Sequence, residues 1–177
     1  SMTLPRAQSV VDMLMAYGWR QNRQEPVNHR EESVTPLAPL VLAHGVATNR
    51  AIDLADHGAL VELCLADQSV EELVTQLWLR FYSRTPSAEE KQCYVDFLSE
   101  GYEERRTGEP RMLRRVDRSP LAWSNNLDAK ANQIGEARQR KALEGDAPTR
   151  RLTEDWRQRV EDTLWVMVNS PEFIFVP

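Results

Sequence analysis

Two matching helix-start signals, Ser69-Val70-Glu71-Glu72 and Ser87-Ala88-Glu89-Glu90, restrict the fold of this chain more than any other feature. Each is a capping box, in which the serine hydroxyl accepts the backbone N–H three residues on and the glutamate there reaches back to the serine N–H. Behind the first box, Val70, Leu73, Val74, Leu77, Trp78, Phe81 and Tyr82 recur at helical spacing, which predicts a helix with one buried face. Behind the second come Tyr94, Phe97, Leu98 and Tyr102. Pro86 disfavours a continuous helix across the join, so residues 69–102 are expected to form a helical hairpin with a tight connection.

Other segments carry the same period. Val10, Val11, Leu14 and Met15 predict a first helix ending near Tyr17, before Gly18. Residues 19–33 are polar, hold Pro26 and keep no period, as a long ordered loop does. Thr35-Pro36 has the form of an N-cap and first helical residue, opening a helix through Leu37, Leu40 and Val41. His44-Gly45 breaks or bends it, and it continues from Val46 to about Asp56. Residues 103–127, with their arginines, Pro110, Pro120 and Trp123, are expected to make an excursion over the surface. Residues 128–143 suit a polar outer helix that ends at Gly145. Thr153 can cap a central last helix in which Trp156, Val160 and Leu164 keep the period. After Pro171, Phe173, Ile174, Phe175 and Val176 are too apolar for water, so this segment is expected against the core.

No alternating run rich in β-branched residues is long enough to demand a sheet. The expected fold is therefore all-α: a compact orthogonal bundle of about five to seven helices with long ordered loops, the hairpin packed on the last helix. Residues 1–177 are expected to form a single helical domain, with Ser1-Met2 read as a cloning scar ahead of the C-terminal piece of a larger protein.

The net charge of -5 opposes general attraction to nucleic acid or anionic lipid, both polyanions. No apolar run approaches the roughly 20 residues that span a bilayer, so membrane insertion is not expected. Cys64 and Cys93 are too far apart for a Cys-x-x-Cys pair, and neither precedes a haem-attachment histidine. Both read as buried helical thiols, with a disulfide between them left open for an exported protein.

Reactive side chains are few. Asp53, Asp56 and His57 would share one helix face, but no metal-ligand motif accompanies them, and a solvated helix end is the simpler reading. His44 is an ordinary helix-terminal imidazole. The strongest binding candidates are Asn28, His29, Arg30, Glu32 and Thr35, which gather donors, acceptors and a titratable ring directly before a helix start, where an anion is favoured. The competing assignment has Arg30 and Glu32 tying the loop to neighbouring helices. Arg105, Arg106, Arg111, Arg114, Arg115 and Trp123 are docking-surface candidates, suited to another domain's acidic face. Glu71, Glu72, Glu89 and Glu90 lie in first helical turns and belong to capping. There is no glycine-rich phosphate loop, no Gly-x-Ser-x-Gly elbow and no Cys/His nucleophile arrangement, so no catalytic residue and no metal ligand is assigned.

Three segments in order carry a family resemblance: residues 30–37 (REESVTPL), residues 77–90 (LWLRFYSRTPSAEE), and Leu164 through Asn169-Ser170-Pro171-Glu172-Phe173-Ile174-Phe175. Together they resemble the C-terminal domain of an uncharacterised planctomycete family of large exported proteins, many with a cytochrome-c-like domain upstream. The resemblance implies an exported, multi-domain parent and an extracytoplasmic location, periplasmic or cell-surface. It places any haem on the separate upstream domain, so no cofactor is expected here. The implied function is a non-catalytic helical packing or interaction domain whose partners are upstream domains of the same polypeptide or another exported protein. The alternative is the half-site of an extracytoplasmic enzyme, redox or polysaccharide-related, with His29, Arg30 and Glu32 completing another domain's pocket.

Overall fold

Both capping boxes close. In this computed structural model, which describes residues 8–18, 36–112 and 146–174 and six helical positions between 130 and 140, Ser69 Oγ accepts the Glu72 N–H at 3.2 Å while Ser69 N–H donates to Glu72 Oε2 at 2.9 Å. Ser87 and Glu90 repeat the exchange at 3.2 and 2.7 Å. Besides those six positions, eight helices have their bounds within the described residues: α1 (Gln8–Ala16), α2 (Leu37–His44), α3 (Val46–Ile52), α4 (Ala59–Leu65), α5 (Val70–Tyr82), α6 (Ala88–Ser99), α7 (Glu154–Val168) and α8 (Pro171–Ile174). Among these residues there is no strand, only two isolated antiparallel bridges, Ala55 with Pro148 and Arg106 with Leu152. The protein is all-α.

The expected hairpin is α5 and α6, and it packs on α7. Leu73, Val74 and Leu77 of α5, Leu98 of α6, and Val160, Leu164 and Met167 of α7 are wholly buried. Burying each such aliphatic side chain stabilises the fold by about 1.5–3 kcal/mol relative to leaving it in water. Two polar side chains along this seam find backbone partners, as burial favours, while Trp78 Nε1 is enclosed with none among the described residues. Trp156 Nε1 donates to Leu98 O at 3.0 Å, and Tyr82 Oη donates to Met167 O at 3.1 Å. Trp78 meets Tyr82 and Tyr94 edge-on, with ring centroids 5.7 and 4.6 Å apart.

The turn between α2 and α3 depends on Gly45. A Cβ there would lie 2.1 Å from Val41 O, an approach only glycine allows. α3 stops at Ile52 rather than near Asp56, because Leu54 turns inward to full burial. The 53–58 strap, which turns at Asp56 and His57, is held by Leu54 N–H on Glu161 Oε1 at 2.9 Å and by Thr149 N–H on Leu54 O at 2.7 Å. α4 was not legible beforehand: its sequence, ALVELCL, is short, without a polar cap, and too evenly apolar to show a period. Thr153 does occupy the N-cap of α7, but its side chain makes no capping bond. Phe173 and Ile174 pack against the core as expected, while Thr35 and residues 175–177 lie outside the described residues.

Candidate functional site

Arg105 leaves the docking surface proposed for it. It is 4% exposed, whereas Arg106 and Arg111 remain at the surface. The chain bends after α6, and the Arg105 guanidinium runs under the last turn of α4. Nε donates to Cys64 O at 2.9 Å, Nη2 to Ala66 O at 2.9 Å and Nη1 to Tyr102 O at 2.8 Å. Its flat face lies 3.7 Å from the Tyr102 ring centroid and 5.8 Å from that of Trp156. Helix-end carbonyls and aromatic faces thus neutralise a buried cation, a task that suits the planar, five-donor guanidinium. Arg105 is a structural pin.

Asp56 is the second polar node the sequence did not reveal. Asp53, Asp56 and His57 do not share a helix face, since the helix has already ended; Asp56 is 3% exposed while Asp53 and His57 face solvent. Asp56 Oδ1 accepts a very short hydrogen bond from Thr149 Oγ1, Oδ2 accepts Met112 N–H at 2.8 Å, and its carbonyl accepts Arg111 Nε at 3.1 Å. Beside it, Arg151 donates to Glu62 at 2.8 Å, and this hydrogen bond holds the Glu62 carboxyl below its ordinary range. The node staples the 53–58 strap to residues 146–151 and to the start of the arginine-rich excursion.

One side of this strap forms a groove of about 330 Å³ lined by Arg50, Asp53, His57 and Asp146 among others. Arg50 Nε and Nη2 are enclosed without a hydrogen-bond partner among the described residues. Asp53 is exposed, yet the protein packed along one side of it desolvates the carboxyl and raises its pKa, against the lowering pull of Arg50 and Arg157. On α7, burial likewise raises the Glu161 carboxyl, partly offset by the Leu54 N–H it accepts. Among the described residues no group of three or more His, Cys, Asp or Glu side chains could hold a metal ion.

A third cluster joins the hairpin turn to the C-terminal helix. Arg84 bonds Glu90 through Nη1 at 2.9 Å and Nη2 at 2.7 Å, and Glu172 through Nε at 2.5 Å and Nη2 at 2.7 Å. The guanidinium and the backbone N–H of Ser87 hold the Glu90 carboxyl at about 2.

Large apolar residues stay outside on several helices, among them Leu79 on α5, Phe97 on α6 and Val166 on α7, and five of them lie on the adjacent α1 and α2. Val10, Leu14, Met15, Leu37 and Leu40 are each more than two fifths exposed. Beneath them lies a pocket of about 290 Å³ lined by Met13, Leu14, Tyr17, Leu42, Phe173 and Ile174. The thiols diverge from expectation: Cys64 is buried and pushed up to about 12 by desolvation, but Cys93 is exposed, and both are free.

Asn28, His29, Arg30, Glu32 and Thr35 lie outside the described residues, as do Arg114, Arg115 and Trp123. Among the described residues, no helix is long and apolar enough to cross a membrane. Fold and polar network together define an all-α domain whose buried polar groups largely serve its own backbone. No protein-family model matches the chain, and no curated protein or solved structure matches it.

Proposed function

We propose that this chain is a non-catalytic helical packing or interaction domain of a larger exported protein, the role implied by its resemblance to the planctomycete C-terminal domain. One contrast supports the reading. The buried chemistry-bearing groups Asp56, Arg105 and Thr149 bond backbone or each other, whereas a set of large apolar side chains on α1 and α2 is left in solvent. Isolated exposed apolar residues are ordinary, but several on two adjacent helices fit an interaction surface. Arg106, exposed and paired loosely with Asp67 at 3.6 Å, and Arg111, exposed though its Nε bonds Asp56 O, would add a charged rim elsewhere on the domain. The test is to titrate the chain with the upstream part of its parent and map protection from hydrogen exchange. Protection on α1 and α2 is expected; no association at about 100 μM, a weak affinity for a docked domain, would sink the reading.

The half-site alternative draws on the groove at Arg50, where two enclosed guanidinium nitrogens have no partner among the described residues and a carboxylate has a raised pKa. In that case Arg50→Met would abolish the parent's activity while leaving the fold of this domain intact. Unchanged activity in that variant would remove the groove from the alternative, and unchanged activity in an Arg30→Met variant as well would remove the alternative itself.

A further inference from the structure

We propose that Arg84 is an ionic latch that keeps α8 docked as a movable wall of the apolar pocket, so that breaking the Arg84–Glu172 contact opens the pocket. The end of α7 is anchored independently of α8. Met167 and Val168 are buried, and Tyr82 Oη holds the Met167 carbonyl from α5. Beyond that anchor the chain turns at Asn169, with φ -88° and ψ 1°, and α8 is a single turn of four residues with none fully buried. So short a helix has little stability of its own and stays in place by its contacts.

Besides the packing of Phe173 and Ile174 against the core, two side-chain contacts among the described residues hold it. Glu172 meets the Arg84 fork, and Phe173 meets Phe81 with ring centroids 6.1 Å apart. The fork is set in position from the hairpin side. Ser83, left-handed at φ 57°, turns the chain out of α5, and Glu90 holds the guanidinium through two nitrogens. Arg84 is thus preorganised to receive Glu172 rather than ordered by it. Phe173 and Ile174 supply two of the six residues lining the pocket, and the other four come from α1, α2 and Tyr17 just beyond α1. Swinging α8 away therefore removes one wall while the α5–α6–α7 core stays closed. The latch also lies within reach of salt, because the Arg84 and Glu172 side chains are 38% and 36% exposed.

Hydrogen exchange at the amides of residues 172–174, together with the fluorescence of an apolar dye, tests this on the chain and its R84M, E172Q and E90Q variants. R84M and E172Q should speed exchange there by about fivefold, the factor lost with one modest ion pair, and should raise dye binding. E90Q, which leaves the Glu172 contact, should do less. Salt at 1 M should move the unmodified chain toward E172Q and leave E172Q where it is. Wild-type exchange and dye binding in E172Q would overturn the proposal. So would acceleration spread equally over α5, α6 and α7, which would mark general loosening instead of a released wall.

Discussion

The α5–α6–α7 unit and the α1–α2 layer are both helical and both rich in apolar residues, yet they use them differently. In the first, two complete capping boxes set the helix starts, and Leu73, Val74, Leu77, Leu98, Trp156, Val160 and Leu164 meet one another out of water. In the second, Pro36 offers α2 no side-chain cap, and of its helical residues only Leu42 is buried. Val10, Leu14, Leu37 and Leu40 stay outside. The difference teaches that burial in a core, not apolar content, makes a helix carry stability.

The largest test of this contrast is Trp156→Ala. It empties the centre of the core and leaves Leu98 O without its donor, so unfolding in urea should show a loss of about 3–5 kcal/mol. A loss under about 1 kcal/mol would mean that stability lies elsewhere. Arg105→Met should follow at about 2–3 kcal/mol, because it takes the guanidinium from the Cys64 and Ala66 carbonyls, leaves Tyr102 O only the Arg105 N–H, and removes the aromatic contacts. The same measurement would sharpen the account of Arg105 as a pin: near-wild-type stability would return it to the surface role.

Glu90→Gln should have a smaller effect with a distinctive pH dependence. The folded pKa of Glu90, about 2, lies below its ordinary value, so its ionisation stabilises the fold above the unfolded carboxylate range and that contribution is lost as pH falls toward 2. Thermal melts of the chain and E90Q should therefore differ most above pH about 4.5 and converge in stronger acid. A gap that is constant with pH would rule out ionisation as its source. The smallest effect belongs to the other region: Leu40→Ser, at a side chain 55% exposed, should change stability by no more than about 0.5 kcal/mol. A loss several times larger would show that α2 belongs to the core after all.

Much of the helical layout was readable in advance because its determinants are local. Ser69 and Glu72, or Ser87 and Glu90, find each other within one turn, and the period of Leu73, Leu77 and Trp78 follows from helical geometry alone. The helix α4 escaped because ALVELCL carries neither cap nor contrast between faces. Cys93 was expected inside because its residue type is usually buried, but it falls on the outer face of α6. Arg105 was read with its charged neighbours, although Tyr102 three residues earlier provides both the carbonyl and the ring it uses.

By itself, then, the sequence determined where α5 and α6 begin and most of what α5 buries, since those choices rest on contacts between residues three or four apart. Only the tertiary structure decided what the polar side chains do. Asp56 meets Thr149, Leu54 meets Glu161 and Arg84 meets Glu172 across long stretches of chain. The partner of a buried donor or charge depends on which segments the packed core brings together, and no local pattern encodes that meeting.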